Sequence, residues 1–229
     1  FDGTVNITGS TFKGNTAVAG IGQGGAITNA DEMTITGSTF EGNQAGKLGG
    51  AIFNAANGKL TFNGTNTFTN NTAAGNTNDI YNAGTITVTD GTTTLNSGLK
   101  QVGGNITVKG GTLDMASGSS LSFDTGSTLT INGGAFVADA GLLVSASEDG
   151  YQVNGDNGIS DANIVSTNGN LNLRWFDGDY TGDEYTSVQD ALLNQTDATE
   201  GSDLQLLTHT LQVGTVQVLA HVAHETERQ

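Results

Sequence analysis

Short islands of apolar residues, separated by Thr, Asn, Ser and Gly, recur along the first 82 residues with a period near 28. Within each island apolar and polar residues alternate, as in a β-strand, and no stripe of helical period runs through them. A fixed repeat of about 20 to 50 residues is typical of a solenoid. The pattern therefore predicts stacked strands.

Two motifs alternate in this repeat, Phe-x-x-Asn and Gly-Gly-Ala-Ile-x-Asn. The third copy of the second motif has decayed, and Asp79 precedes its Ile. The residues that carry the repeat are Phe12, Asn15, Gly24, Gly25, Ile27 and Asn29 in the first copy, Phe40, Asn43, Gly49, Gly50, Ile52 and Asn54 in the second, and Phe68, Asn71, Ile80 and Asn82 in the third. Farther along, Ile86, Ile106 and Leu129 open three shorter repeats, spaced 20 and 23 residues apart.

These repeats predict an all-β fold, a parallel β-helix solenoid of about six coils over residues 1–146. Each coil stacks its strands about 4.8 Å above the previous coil, so that Phe lies on Phe and Ile on Ile. Asn at a corner tolerates a left-handed backbone and bonds to its counterpart in the next coil, and Gly supplies positive φ at tight turns. Crossover connections between parallel strands predict a right-handed helix.

The alternating motifs resemble the repeat of chlamydial polymorphic outer-membrane proteins and of related autotransporter-type adhesins, over residues 1–82. Residues 84–145 are similar to a generic autotransporter passenger, in segments such as Gly-Gly-Thr-Leu-Asp-Met. The resemblance implies a β-helical adhesin that is extracellular, on the bacterial cell surface, and associated with the outer membrane in the full protein. Its implied partners are a host-cell protein or glycan, or neighbouring bacterial cells.

The charge of the chain argues against one class of partner and divides the sequence into two parts. The chain has 229 residues, a formal charge of −16 and only seven Lys and Arg, which argues against nucleic acid as a partner because phosphate binding requires a basic patch. Residues 1–146 carry −4 and residues 147–229 carry −12. We expect residues 147–229 to form an acidic C-terminal cap or a small mixed subdomain, since a solenoid end has strand edges to cover. No apolar run is long enough for this chain to insert directly into a membrane.

The acidic region contains several predicted elements. Residues 163–166, 171–176, 204–213 and 216–222 have the composition of strands, and residues 187–193 that of a short helix. The weak cofactor candidate is calcium, at Asp177, Asp179 and Asp183, because Asp177, Asp179 and Gly182 match positions 1, 3 and 6 of an EF-hand loop. Position 12 is Val188 instead of the bidentate Glu, so a solvated acidic turn is the alternative, and no other cofactor is expected.

Three functions remain open. Our main hypothesis is a non-catalytic adhesin that binds through loops such as residues 17–23 and 73–78. The second is a β-helical polysaccharide lyase or glycoside hydrolase with a site around the acidic turn and Arg174, although the first 146 residues contain no Arg or His. The third is a self-associating extracellular matrix or fibre component, because exposed coil ends allow end-to-end stacking.

One outward column is predicted on the later coils, at Thr87, Thr107 and Thr130. Flat Thr arrays on solenoids can bind ice. The high β-propensity of Thr accounts for the column without that function, and Lys109 and Asn132 interrupt the same surface.

Overall fold

A computed structural model describes residues 3–139, except positions 117 and 125, together with six strands in the rest of the chain. Every regular element in this described part is a β-strand, and none is a helix. In chain order the strands are β1 (Thr4–Thr8), β2 (Thr11–Lys13), β3 (Ile27–Asn29), β4 (Glu32–Thr36), β5 (Thr39–Glu41), β6 (Gln44–Ala45), β7 (Ile52–Asn54), β8 (Lys59–Asn63), β9 (Asn66–Thr69), β10 (Thr72–Ala73), β11 (Asn76–Thr77), β12 (Ile80–Asn82), β13 (Thr85–Val88), β14 (Thr92–Leu95), β15 (Leu99–Gln101), β16 (Asn105–Val108), β17 (Thr112–Met115), β18 (Leu121–Phe123), β19 (Thr128–Asp139), β20 (Leu143–Val144), β21 (Gln152–Val153), β22 (Asp156–Asn157), β23 (Ile159–Ser160), β24 (Ile164–Trp175) and β25 (Leu207–Val213).

Three parallel stacks of strands form the faces of the solenoid. Face A consists of β1, β4, β8, β13, β16 and the first half of β19, face B of β2, β5, β9, β14, β17 and the second half of β19, and face C of β3, β7, β12, β15 and β18. Neighbours within each face pair in parallel. This confirms the predicted all-β parallel β-helix. Along face A, five turns of the chain separate the first strand, β1, from the last, β19. The solenoid therefore has about five turns, whereas six coils were predicted.

Strand β19 joins faces A and B. Residues 128–131 pair with β16, and residues 135–137 pair with β17. The alternation of apolar and polar residues predicts two strands here, over residues 128–132 and 135–137, with Gly133 and Gly134 between them. The φ of +96° at Gly133 instead bends the chain from one face to the next without ending the strand.

A column of stacked rings fills the interior of the first three coils. The ring centroids of Phe12 and Phe40 lie 4.8 Å apart, those of Phe40 and Phe68 lie 4.5 Å apart, and both pairs are within 3° of parallel. Phe40 and Phe68 are fully buried, whereas Phe12, on the first coil, is half-buried. The 28-residue period thus places identical rings one above another.

A second interior column runs along face C and contains Ile27, Ile52, Ile80, Leu99 and Leu121. All five side chains are buried. The column explains a boundary that the sequence predicted wrongly. The sequence predicts this strand over residues 101–102, whereas β15 begins at Leu99, because Leu99 pairs with Ile80 and continues the column.

A ladder of buried amides occupies the corner between faces C and A. Its members, one in each coil, are Asn29, Asn54, Asn82 and Gln101. Each donates a side-chain N–H to the side-chain oxygen of the next, at 2.8, 2.6 and 2.6 Å. Nδ2 of Asn54 also donates to the carbonyl oxygens of Gly58 and Thr85, both at 3.1 Å. Because a buried amide needs a partner for each polar atom, the ladder fixes the height of each coil on the next.

The corner between faces B and C has its own ladder. The backbone N and the Nδ2 of Asn15 both donate to Oδ1 of Asn43, at 3.0 and 2.8 Å. Asn43 repeats both bonds to Asn71, at 2.9 Å each. In the next coil Ser97 stands at this position, and its Oγ accepts the backbone N–H of Asn71 at 3.2 Å.

The Gly-Gly pair of the repeat reflects close approach between coils. Gly49 has a φ of +66°, a conformation that glycine adopts without steric cost. A Cβ atom added to Gly50 would lie 2.5 Å from the backbone N of Thr72, far inside contact distance. A larger residue at position 50 would therefore push neighbouring coils apart.

Strand β24 extends the sheet beyond β19. It pairs with β19 in parallel, with register shifts after Leu129 and Asn132, and β25 pairs with β24 in antiparallel fashion. The sequence predicted separate strands over residues 163–166 and 171–176, whereas β24 is one strand of 12 residues whose partner β19 is equally long. The helix predicted over residues 187–193 and the strand predicted over residues 216–222 lie outside the described residues.

Replacing Phe40 with Ala is expected to destabilise the protein far more than the same change at Phe12, although both residues occupy one motif position. Phe40 is fully buried between two rings, whereas Phe12 has a ring on one side. We expect Phe40→Ala to lower the free energy of unfolding by about 3–5 kcal/mol, and Phe12→Ala by clearly less, in urea titrations. Equal losses would contradict the central place of Phe40 in the column.

Asn54→Asp tests the amide ladder without changing side-chain shape. At neutral pH the new carboxylate offers no N–H to Asn82 or to the two carbonyl oxygens that now accept from Asn54. We expect the free energy of unfolding at pH 7 to fall by at least about 2 kcal/mol. The matched control is Asn6→Asp on the exposed surface of β1, with an expected change under about 0.5 kcal/mol. An Asn54→Asp protein as stable as the parent would mean that the ladder contributes nothing.

Candidate functional site

The long connections of the first three coils all lie at the corner between faces B and C. They are residues 14–26, 42–51 and 70–79, and together we call them the loop ridge. In the next two coils the same corner is crossed by residues 96–98 and 116–120. The ridge therefore belongs to the coils that carry the Phe-x-x-Asn motif.

Coil-to-coil pairing also orders the ridge. Strand β6 pairs in parallel with β10, and isolated bridges join Thr16 to Gln44 and Gln23 to Leu48. Strands β10 and β11 add an antiparallel pair in the third loop. The sequence did not predict these short strands, because their pairing depends on the neighbouring loops. The stacking brings residues 17–23 and 73–78, which the sequence predicted as binding loops, to one side of the solenoid.

An apolar tip projects from the first loop. Three large hydrophobic side chains are exposed among the described residues, and two of them, Val18 at 68% and Ile21 at 75%, lie on this loop. The backbone N of Gly22 donates to the carbonyl oxygen of Val18 at 2.7 Å and closes a turn around the tip. Gly46 of the second loop lies directly against this turn. The third exposed side chain, Val5 at 46%, lies on β1, away from the ridge.

Faces A and B present polar and charged side chains. An outward column on face A contains Thr34, Thr61, Thr87, Thr107 and Thr130. The predicted stacking of its last three members is confirmed, and the column extends into earlier coils than the sequence indicated. Two exposed ion pairs cross between coils, Lys59 with Glu32 at 2.8 Å on face A and Lys13 with Glu41 at 2.9 Å on face B.

Face C carries the variable position x of the Gly-Gly-Ala-Ile-x-Asn motif on its outer surface. The strand register stacks there Thr28, Phe53, Tyr81 and Lys100, and the next residue in register, Ser122, is buried. The Phe53 and Tyr81 rings stack at 5.6 Å with an angle of 25° between their planes, and both are half-buried. The sequence analysis did not select Phe53 and Tyr81 because it placed no requirement on the residue type at position x. Two observations could have identified them: strand alternation points position x outward, and two of its three copies are aromatic.

Asp79 is a buried carboxylate at the base of the third loop. Its Oδ1 accepts from Nδ2 of Asn71 at 2.7 Å, and its Oδ2 accepts from the backbone N of Ser97 at 2.7 Å and of Gly98 at 3.2 Å. It thereby completes the amide ladder where the next coil lacks an Asn. Burial raises the pKa of Asp79 to about 6, and these hydrogen bonds oppose the shift. Because the side chain is fully enclosed, its role is in the fold.

The predicted calcium residues Asp177, Asp179 and Asp183 lie outside the described residues. Arg174, suspected in the enzyme hypothesis, lies in β24. Within the described part of the chain, no three His, Cys, Asp or Glu side chains come together as a possible metal site. The candidate site is therefore built from the loop ridge and outward side chains.

Comparison of the chain with protein-family models, with curated proteins and with solved structures finds no match. The likeness to bacterial surface adhesins thus depends on the repeat motifs. Among the residues that the structure describes, no helix has the length and apolar character needed to cross a membrane. Function has to be inferred from the ridge and its apolar tip.

Asp79 predicts a specific pH dependence of stability. Its folded pKa is raised to about 6 from 3.8, so the folded state binds the extra proton between these values and stability falls as pH rises through them. We expect the free energy of unfolding of the parent, measured relative to Asp79→Asn, to fall by about 3 kcal/mol between about pH 3.5 and pH 7. Urea titrations across this range measure it, and a relative stability that stays level or rises with pH would contradict the raised pKa.

Proposed function

We propose that this chain is a non-catalytic attachment module, an adhesin or passenger segment of a cell-surface protein, which contacts its target through the loop ridge. One observation carries the proposal. Val18 and Ile21, exposed at 68% and 75%, are presented together at the tip of a loop whose backbone is ordered by its neighbours. An apolar contact held on an ordered loop costs little further ordering when a partner buries it.

The solenoid supports this role as a scaffold. Its interior is filled by apolar columns, and its corner amides use their polar atoms in bonds between coils. These groups are buried and hold the fold. Recognition is then left to the loops and outer positions, as is usual for binding sites displayed on rigid frameworks.

The proposed partners are a host-cell protein or glycan, or neighbouring bacterial cells, and the proposed location is the bacterial cell surface. The alternation of Phe-x-x-Asn with Gly-Gly-Ala-Ile supports this assignment through its likeness to chlamydial-type polymorphic outer-membrane repeats and autotransporter passengers. The charge of −16 argues against nucleic acid and against anionic membranes as targets.

The first coil favours self-association as a second candidate function. Strands β1, β2 and β3 each have a described neighbour on one side of the stack. Val5 is 46% exposed, whereas Met33, its partner in β4, is 8% exposed. The other edges of these three strands can pair with a further β-strand, and we propose another copy of the chain as its source.

Removal of the apolar tip is expected to weaken attachment. The double variant Val18→Ser/Ile21→Ser should lower the apparent affinity for target cells by at least about tenfold, because buried apolar anchors supply much of the energy of such contacts. The assay is binding of labelled protein to cultured epithelial cells, bacterial cells and immobilised glycans, with reaction products monitored in the same wells.

The matched control is Val5→Ser, which removes an exposed aliphatic side chain far from the ridge. It is expected to leave attachment unchanged and to lower any concentration-dependent assembly seen by light scattering. Attachment that survives the double variant would move the contact off the ridge. Release of products from any glycan would make the protein an enzyme and contradict the proposal.

A further inference from the structure

A single cation lies beside the apolar tip of the loop ridge. It is Lys47, an exposed residue of the second loop, whose backbone N donates to the carbonyl oxygen of Gly22 at 2.8 Å. Gly22 is the residue whose own N–H closes the turn that presents Val18 and Ile21. The stacking of the first two loops therefore brings a positive charge next to two exposed aliphatic side chains.

The charge of Lys47 is not cancelled by its described neighbours. Lys13 and Lys59 pair with Glu41 and Glu32 at 2.9 and 2.8 Å, whereas no carboxylate of the described residues lies within ion-pair distance of Lys47. Asp79 is the one other ionisable residue in the three loops of the ridge, and it is fully enclosed. The exposed surface of the ridge thus combines an apolar tip with one cation and no anion.

The side chains of the tip favour a protein as the partner. Neutral sugars commonly pack their apolar faces on aromatic rings, and the three loops of the ridge contain no Phe, Tyr or Trp. Val18 and Ile21 are branched aliphatic residues, which pack closely against the apolar side chains of another protein. An apolar centre with polar and charged groups at its rim is also the usual arrangement of a protein–protein interface.

The rim of the tip indicates which charge the partner carries. A carboxylate on the partner would pair with Lys47, and opposite charges at the rim speed encounter and fix orientation. The ridge has no Arg, so it lacks the planar fork that binds a phosphate through two parallel hydrogen bonds. The exposed Asn76 and Thr77 of the third loop are neutral and suit uncharged polar groups. Neighbouring coils are about 4.8 Å apart, which places the carboxylate close to the apolar contact.

We propose that the loop ridge binds a protein segment in which an apolar side chain lies next to a carboxylate. The apolar side chain packs on Val18 and Ile21, and the carboxylate pairs with Lys47. The proposal deepens the attachment function, on which it depends, because it selects protein over glycan as the partner and states the chemistry of the contact.

The class of partner is tested by binding the labelled full chain to epithelial and bacterial cells that have been treated in two ways. Proteinase K removes surface proteins, and periodate oxidises surface glycans. On the cells to which the parent attaches, we expect proteinase K to raise the apparent Kd at least about tenfold and periodate to leave it within about threefold.

The carboxylate is tested on the same cells by reversing the charge of Lys47. Lys47→Glu should raise the apparent Kd at least about tenfold, because two carboxylates would then face each other, and Lys47→Arg should keep it within about threefold. The matched control is Lys109→Glu, which changes the net charge equally at an exposed residue that directly follows β16, and it should leave attachment unchanged. Urea unfolding midpoints within error of the parent show that these exposed substitutions leave the fold intact.

Several outcomes would overturn the proposal and leave the attachment function standing. Attachment lost after periodate and kept after proteinase K would make a glycan the partner. An effect of Lys47→Glu no larger than that of Lys109→Glu would remove the carboxylate. Self-assembly in light scattering that Lys47→Glu abolishes would assign the ridge to a second copy of the chain. A parent that attaches to no untreated cell and no glycan surface would contradict the attachment function itself.

Discussion

The side-chain ladders at the corners are the constraint on which the rest of the structure depends. A buried amide without a partner costs about 1–3 kcal/mol, so Asn43 can occupy its corner only if the neighbouring coils supply partners at matching heights. Each coil is thereby held in one register on the next. That register places Phe40 on Phe68 and brings the three loops of the ridge together. Where the Asn column ends at Ser97, the buried carboxylate of Asp79 takes the place of the missing amide.

The same constraint separates the scaffold from the candidate contact surface. Residues that point inward or stand at corners are committed to neighbouring coils, which leaves outward positions and loops free to vary. The candidate contact surface lies on the first three coils. The apolar tip is on the first loop of the ridge, and Lys47 is beside it on the second. The later coils cross this corner with short turns and lack the loops.

The sequence predicted the features in which the same residue type recurs at a fixed spacing. Identical Phe and Asn residues at one spacing have one stacked solution, so the interior ring column and the corner ladders were within reach of pattern reasoning. Pattern reasoning could not predict the positions at which a different residue type replaces the repeated one. Gln101 and Asp79 fill ladder positions because of where the backbone puts them, and nothing in their own chemistry marks them beforehand. A Gly-Gly pair is typical of a turn, so the continuous bend through Gly133 also needed the neighbouring strands to reveal it.

We propose that attachment occurs through the loop ridge, and oxidative footprinting of the protein on its target can test this contact residue by residue. Free protein and protein bound to target cells are exposed to hydroxyl radicals, and side-chain oxidation is compared by mass spectrometry. We expect Val18 and Ile21 to become protected on binding while Val5 does not. Unchanged oxidation at Val18 and Ile21, with protection confined to Val5, would contradict attachment through the ridge and place the contact at the first coil.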